Sequence, residues 1–299
     1  MIKNLILENP KVHLISFVGI SPYLTKADQR ELKEAASEFK RIAILYFSSV
    51  TIYTPELLKK DFPEIAYTVK DYNFQYEDKC KQAGIKANRV WLSLGCLMWK
   101  PAFMLKISEQ LKDPNDILVY QDINLAKYPH YKDNLKAGES FFKELVKNHS
   151  IALFQDRARP LRTDCKLWLL KKYFNKEPDC GAFMQGFWGG ILAVKNDEMG
   201  KSFLKEWHKI SNLDHCAPLP DVSKKERLKN FGYHSQEQST LGVLYYAYQE
   251  KFSNAIRVIL SPHRRLIYRI RWFNPWLLFS LNRLRKKIAL LNQRRKNSE

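Results

Sequence analysis

The sequence lacks the patterns of a secreted, disulfide-bonded or membrane-spanning protein. Its five cysteines are odd in number and widely spaced, with no CxxC pair or Cys/His cluster, which favours neither a disulfide framework nor a zinc site. No stretch approaches the roughly 20 apolar residues that cross a bilayer. The N-terminus has no apolar run followed by a cleavage site, as a signal peptide would. We therefore expect a reduced, cytoplasmic protein.

Acidic residues are almost absent from the C-terminal segment. The 299 residues include 50 Lys+Arg and 31 Asp+Glu, for a net charge of +19. Residues 264–299 contain eleven Lys or Arg and one acid, Glu299, so this segment carries +10 and residues 1–263 carry the remaining +9. Because the excess lies at one end, the composition does not indicate a uniformly basic nucleic-acid-binding protein.

The same segment alternates cations with large apolar residues, including Trp272 and Trp276. A helix of this composition suits the interface of an anionic bilayer, where each well-placed cation contributes roughly 1 kcal/mol. Pro275 is expected to divide it into two pieces. The alternative is a pair of helices packed on the body with a solvated basic face. We favour membrane association, and we predict a catalytic domain over residues 1–263 followed by an amphipathic segment over 264–299.

The first half of the chain predicts alternating strands and helices. Residues 12–18 form a short β-rich run, residues 42–47 form an apolar run typical of a strand buried on both faces, and residues 26–40 between them have helical spacing. This order indicates a βαβ unit and a parallel sheet. Residues 51–88 are polar and predicted helical. Further strands are predicted at 116–121, 151–154 and 256–260, and further helices at 101–111, 197–210 and 236–252.

Two oxygen-bearing side chains directly follow the predicted strand 116–121. Asp122 and Asn124 are two residues apart, and ligands of open parallel sheets bind beyond the carboxyl ends of the strands. Carboxylate and amide oxygens suit Mg²⁺ or Mn²⁺, which would neutralise a leaving diphosphate. The structural alternative is that Asp122 caps the turn after the strand and Asn124 supplies turn geometry.

Trp99 and Lys100 precede a proline that marks the start of a helix, Pro101. Trp99 is a candidate for stacking on a base or sugar, and Lys100 is a candidate for contacting phosphate. The local pattern alone favours the structural alternative, which is a buried tryptophan beside a solvated lysine.

Residues 184–190 form an aromatic, glycine-rich block. Glycines allow a backbone to approach a ligand closely, while Gln185 and Trp188 would supply hydrogen bonding and stacking. A tight turn between two core strands would need the same glycines, so the residues leave both interpretations open.

Residues 234–239, HSQEQS, stand at the head of an apolar helix. Glu237 complements the helix dipole and Ser235 is a plausible N-cap, but neither role accounts for His234, a candidate metal ligand or diphosphate contact. His263 follows the last predicted strand and either binds phosphate or begins the basic segment.

Four of these blocks, in this order, resemble bacterial glycosyltransferases of GT-A type that assemble surface polysaccharides such as lipopolysaccharide or capsule. The blocks are WKP at 99–101, ILVYQD at 117–122, QGFWGGILAVKN at 185–196 and HSQEQS at 234–239. The resemblance covers roughly residues 10–262. It implies a GT-A-like (Rossmann-like) α/β fold, with a mixed, mainly parallel sheet flanked by helices. It also implies sugar transfer from a nucleotide sugar to a lipid-linked or lipopolysaccharide-type glycan at the inner face of the cytoplasmic membrane.

The resemblance also implies roles for individual residues. Donor binding falls to Asp122, Asn124, Trp99, Lys100, Arg162 and His263. Acceptor binding falls to Gln185, Trp188 and Gly189. The candidate ligands of a divalent cation are Asp122, Asn124 and His234. Besides Asp122 itself, Glu237 and Asp164 are the catalytic candidates, as general base for the acceptor hydroxyl.

Two positions depart from the family pattern. The usual metal-binding D-x-D is D-x-N at residues 122–124, which leaves dependence on Mn²⁺ or Mg²⁺ open, and Glu237 stands where an aspartate is expected. The missing second aspartate makes an inactive glycosyltransferase-like scaffold one alternative. A basic nucleic-acid-binding protein is another, but it would carry basic residues interleaved with exposed aromatics over the folded body. We therefore expect no nucleic-acid partner.

Overall fold

A computed structural model describes residues 9–20, 24–82, 84, 86–87, 99–123, 129–161, 165–174, 184–212 and 236–260. Its six strands form one sheet in the order β2-β1-β3-β5-β4-β6. The strands are β1 (Val12–Phe17), β2 (Ser49–Tyr53), β3 (Ile117–Gln121), β4 (Ile151–Pro160), β5 (Gln185–Lys195) and β6 (Ile256–Leu260).

The sheet is mixed and mainly parallel, as predicted. β1 pairs in parallel with β2 and β3, and β4 pairs in parallel with β6. β5 is antiparallel to both of its neighbours, β3 and β4. Five strands therefore point the same way, and their carboxyl ends share one edge of the sheet. Polar residues that follow these strands are gathered at that edge.

Helices cover both faces of the sheet. β3 lies in the middle of the strand order, and all five of its residues are therefore buried. The helices are α1 (Lys26–Ala43), α2 (Pro55–Asp61), α3 (Pro63–Gln82), α4 (Trp99–Gln110), α5 (Pro129–Leu145, bent at Gly138), α6 (Leu167–Phe174), α7 (Glu198–Ser211), α8 (Gln236–Ala247) and α9 (Gln249–Phe252). α1 and α5 bury their apolar sides on one face of the sheet. α4, α7 and α8 do so on the other, with α2, α3 and α6 at its margin.

The predicted βαβ unit is present, but its second strand lies later in the chain than predicted. Residues 42–47 were expected to form a buried strand, and this is wrong: Ile42 and Ala43 complete α1, and Ile44 and Leu45 are 57% and 67% exposed. The strand is β2, whose last three residues fall in the region, 51–88, that was predicted helical. Thr25 caps α1 through a reciprocal capping box with Asp28, which fixes where the helix begins.

The other strand predictions are confirmed within the described residues, and the helices predicted at 26–40, 101–111 and 197–210 are α1, α4 and α7. The helix predicted over 236–252 is divided at Tyr248 into α8 and α9. The glycine-rich block is one continuous strand, β5, and not a turn between two strands. Residues 264–299 lie outside the described part of the chain, so the amphipathic segment stays a prediction. Among the described helices, none is long and apolar enough to span a bilayer.

Candidate active site

Asp122 follows β3 at the shared carboxyl edge of the sheet. Its backbone N–H donates to the Gly190 carbonyl at 2.8 Å, which continues the pairing between β3 and β5 by one residue. Since side chains alternate along a strand, Asp122 and Tyr120 share a face, and the Tyr120 hydroxyl donates to Asp122 Oδ1 at 2.6 Å. The Asp122 side chain is 36% exposed. One of its oxygens is thus held from inside while the group reaches solvent.

Lys100 lies in the first turn of α4 and points under the same edge. Its side chain is only 1% exposed, so the predicted solvated lysine is wrong. Nζ donates to the Gly189 carbonyl at 2.9 Å and lies 3.5 Å from Asp122 Oδ1. It also lies 4.4 Å from the centre of the Tyr120 ring, where a cation is attracted by the π face. Lys100 is therefore a buried cation at the base of the site.

Glu237 supplies a second carboxylate from the first turn of α8. Its side chain is 4% exposed, and Oε1 lies 3.8 Å from Lys100 Nζ. The position suits the helix dipole, as the sequence indicated. The two carboxylates, from elements more than a hundred residues apart, thus face one ammonium.

A bulge in β5 lets both carboxylates approach the backbone. Between two paired positions, β4 advances only from Leu153 to Gln155 while β5 runs from Leu192 back to Phe187. The extra residues include Gly189 and Gly190. A Cβ on Gly189 would lie 2.6 Å from Glu237 Cγ, and a Cβ on Gly190 would lie 2.8 Å from Asp122 Oδ2. The absence of side chains at both positions makes room for the acidic groups.

The proposed acceptor residues lie along β5 beside this bulge. Trp188 is 8% exposed and packs in the core, and its Nε1 would be 3.0 Å from a Cβ on Gly190, so indole and Asp122 both border that glycine. Gln185 begins the strand, and its backbone N–H donates to the Tyr246 hydroxyl at 2.8 Å. Of the three predicted acceptor residues, Gly189 has a direct contact with the charged groups.

The surroundings of Tyr120 keep its hydroxyl protonated. Burial raises the pKa of Tyr120 well above its ordinary value, and the negative charges of Asp122 and Glu237 and the hydrogen bond to Asp122 raise it further. A protonated phenol donates and does not repel the carboxylate. Tyr120 therefore acts as a fixed hydrogen-bond donor to Asp122.

Other predicted site residues are placed away from the charged groups or are not described. Trp99 is 2% exposed and contacts the rings of Phe17, Phe103 and Tyr120. It has the buried position of the structural alternative, and we do not assign it to the donor. Outside the described residues lie Asn124, Arg162, Asp164, His234 and His263, and their roles stay predictions.

The described residues do not form a metal centre. Within that part of the chain, no three His, Cys, Asp or Glu side chains gather as a metal site would require. Two described carboxylates, those of Asp122 and Glu237, lie close together, and both face the Lys100 ammonium. The predicted ligand set is thus represented by Asp122 alone, with a cation already beside it.

Sequence reasoning missed two residues of this site. No role was predicted for Tyr120, although its spacing of two from Asp122 on a strand predicts a shared face. Gly190 was predicted only as one of the glycines in the block at residues 184–190. The signal for Gly190 lies in the fold, because only the pairing of β5 with β3 brings it next to Asp122.

No family model and no curated protein sequence matches the chain. A comparison with solved structures finds the apo crystal structure of mouse xyloside xylosyltransferase 1. The two chains align over 83% of this chain and 85% of that one, with 8% identity and a TM-score of 0.35. The correspondence is distant, and we base the function on the site itself.

Proposed function

We propose that this protein is a glycosyltransferase that moves a sugar from a nucleotide-sugar donor to a hydroxyl group of a glycan. One observation supports this most strongly: the four blocks on which the family resemblance rests come together at one point. Lys100, Asp122, Gly189 and Glu237 each come from a different block, and the other three all lie within 3.8 Å of Lys100 Nζ. Local sequence patterns gave no reason for that convergence.

The proposed reaction is a substitution at the anomeric carbon of the donor. The acceptor hydroxyl oxygen forms a bond to that carbon, and the bond from the carbon to the diphosphate oxygen breaks. The electron pair of the broken bond stays on the nucleoside diphosphate, and the hydroxyl proton passes to a base. Negative charge therefore grows on the diphosphate, and nearby cations stabilise it.

Asp122 is the proposed donor-binding residue because it combines exposure with fixed orientation. Tyr120 and Lys100 engage Oδ1 from inside, and Oδ2 lies against Gly190. A carboxylate held in this way can accept hydrogen bonds from the ribose hydroxyls of a nucleotide. Lys100 reaches the diphosphate only through its field, since it is buried. Arg162 and His263 stay predicted as direct contacts.

We do not assign Glu237 as the general base. A base must come within hydrogen-bond reach of the acceptor hydroxyl, whereas the Glu237 carboxylate is buried against Gly189 and Lys100. We assign Glu237 to positioning Lys100. Asp164 is the proposed base if the reaction inverts the anomeric configuration.

The acceptor and the place of action are proposed from sequence. The family resemblance supports a bacterial surface glycan, lipid-linked or of lipopolysaccharide type, and the composition of residues 264–299 supports attachment to an anionic membrane surface. Substituting Arg283, Arg285, Lys286 and Lys287 by glutamine in the full-length chain is expected to weaken sedimentation with anionic vesicles. Unchanged sedimentation would contradict the attachment.

Donor screening tests the enzymatic proposal. Full-length protein is incubated with a panel of nucleotide sugars, and the melting temperature and release of nucleoside diphosphate are measured. We expect at least one donor to raise the melting temperature and to be slowly hydrolysed. An absence of both responses across the panel would favour the non-catalytic scaffold.

A further inference from the structure

The base of the site already contains a cation. The Lys100 ammonium faces three oxygens: the Gly189 carbonyl at 2.9 Å, Asp122 Oδ1 at 3.5 Å and Glu237 Oε1 at 3.8 Å. An ammonium has three N–H donors and no acceptor. Two of these oxygens are within hydrogen-bond distance of Nζ, and the third belongs to a second carboxylate, so the carboxylates of the described residues already have a cation beside them.

A divalent cation would compete for the same oxygens. Mg²⁺ and Ca²⁺ bind six or more oxygens at about 2.0–2.6 Å, and carboxylates are the anionic ligands that a protein usually provides. Here both described carboxylates point to Lys100, and the Tyr120 hydroxyl also donates to Asp122 Oδ1. An ion placed between Asp122 and Glu237 would therefore meet an ammonium and a phenolic proton, both of which repel it.

Lys100 is not free to move aside for such an ion. Its side chain is 1% exposed, and its Nζ lies 4.4 Å from the centre of the Tyr120 ring. Withdrawal would leave the carboxylate of Glu237, 4% exposed, without its nearest cation. Removing one partner of a buried ion pair is strongly unfavourable. We therefore expect the ammonium to stay beside these carboxylates.

The three charged side chains differ in their exposure to solvent. Lys100 and Glu237 are both buried and balance one another, whereas Asp122 is 36% exposed. Of these three described groups, the Asp122 carboxylate is the one that reaches the surface. Such a group accepts hydrogen bonds from hydroxyls directly and does not need a metal ion to bridge it to them.

We propose that the Lys100 ammonium is the resident cation of this site, in place of a divalent metal, and that the site binds its nucleotide ligand without one. The proposal deepens the proposed function and rests on it for the identity of the ligand. It accounts for the D-x-N sequence at residues 122–124: a second carboxylate is not needed where the cation is a lysine.

Titration with Mn²⁺ alone tests the site independently of any substrate. Isothermal titration calorimetry is carried out on the full-length wild type, on Lys100→Met and on the double variant Lys100→Met/Glu237→Gln. We expect the wild type to show no binding tighter than about 1 mM. Lys100→Met leaves two carboxylates facing each other and is expected to gain at least about tenfold in Mn²⁺ affinity. The double variant has the same net charge as the wild type in this cluster, lacks one carboxylate, and is expected to show no gain.

The double variant is also a control for misfolding of Lys100→Met. It removes both partners of the buried pair, so we expect it to melt at a higher temperature than Lys100→Met. Stoichiometric Mn²⁺ binding by the wild type below about 1 mM, unchanged in either variant, would overturn the proposal. So would an affinity that falls, and does not rise, on removal of Lys100.

Nucleotide binding separates this proposal from the proposed function. The melting temperature of the wild type is measured with a set of nucleoside diphosphates, once in EDTA and once in Mn²⁺. We expect equal stabilisation in both, and stabilisation only with Mn²⁺ would overturn the proposal. If no nucleoside diphosphate stabilises the protein in either buffer, the proposed function fails, and the Mn²⁺ titration alone then decides the role of Lys100.

Discussion

The two edges of the sheet hold buried polar groups of different kinds. At the edge opposite the candidate site, Asp116 accepts hydrogen bonds from the backbone N–H of Lys11 at 3.1 Å and faces His13 Nε2 at 3.1 Å. Nearby, the Asn196 amide donates to the carbonyls of Leu111 and Asp113. At the carboxyl edge, the described polar groups include two carboxylates, an ammonium and a phenol that contact one another.

This difference separates groups that close the fold from groups that serve a ligand. Asp116 and Asn196 each join a loop to a strand through backbone groups, so their contacts explain their burial. Lys100 pairs with Asp122 and Glu237 in addition to its contact with the Gly189 carbonyl, and buried charges of this kind are costly compared with apolar residues of equal size. Clusters of buried ionisable groups in mutual contact are characteristic of functional sites.

Replacing Lys100 by methionine gives the largest expected loss of stability. The change leaves buried Glu237 and partly buried Asp122 without their common cation, and breaking a buried pair costs about 3–5 kcal/mol. Urea unfolding of the wild type, Lys100→Met and Lys100→Met/Glu237→Gln measures it. Equal free energies of unfolding for the wild type and Lys100→Met would show that the ammonium is not held as described.

Gly200 tests a structural glycine at the opposite edge. A Cβ there would lie 1.9 Å from the Lys195 carbonyl oxygen, and backbone atoms cannot give way as the end of a side chain can. Gly200→Ala is expected to destabilise the fold by about 3 kcal/mol. The molecules of this variant that are folded are expected to bind nucleotide as tightly as the wild type does. A thermal melt with and without nucleoside diphosphate checks both parts, and selective loss of affinity would contradict the separation of the edges.

Tyr120→Phe has a smaller, pH-dependent effect. At neutral pH the lost hydrogen bond to Asp122 is expected to cost about 1 kcal/mol. The pKa of Tyr120 is raised above 10.0 in the folded protein, so above that pH the unfolded chain releases a proton that the folded chain retains, and wild-type stability falls as pH rises. Phenylalanine has no such proton. Urea unfolding at pH 7 and near pH 10.5 should therefore show the two proteins converging at the higher pH, and a constant difference would contradict the assignment.

Gly190→Ala gives the smallest stability change and a clear functional one. The new Cβ would meet Asp122 Oδ2 at 2.8 Å and Trp188 Nε1 at 3.0 Å. The shorter contact can be relieved, because the Asp122 side chain is 36% exposed and can shift toward solvent. We expect a stability change below about 1 kcal/mol but a decrease in donor turnover of about tenfold or more, because displaced groups lose catalytic alignment. Gly242→Ala is the matched control, since the three atoms nearest to its Cβ all belong to the Leu161 side chain in the core. Equal turnover in both variants would argue against the role of Gly190.

Much of the fold was predictable from local patterns, and the failures have physical causes. Val12–Phe17 and Ile117–Gln121 are mostly apolar because they lie inside the sheet. The run at residues 42–47 is equally apolar, but its first two residues extend the buried stripe of α1, and apolar runs without a period do not distinguish helix from strand. β2 was missed because it is an edge strand whose first four residues are only partly buried.

The site was predictable as separate residues and not as an arrangement. Asp122, Lys100, Gly189 and Glu237 were each chosen, but the local pattern made Lys100 a solvated side chain, and its pairing with two carboxylates depends on contacts 22 to 137 residues apart. The pairing of Tyr120 with Asp122 is different, since alternation along a strand already predicts it.

The measurement that tests the central claim most directly is donor binding by three full-length proteins: the wild type, Asp122→Asn and Asp116→Asn. Both variants replace one aspartate by its amide at an end of β3, one at each edge of the sheet. We predict that a nucleotide sugar raises the melting temperature of the wild type and of Asp116→Asn, although the latter starts from a lower value, and has no effect on Asp122→Asn. An equal rise in all three proteins, or a loss confined to Asp116→Asn, would contradict a donor site at Asp122.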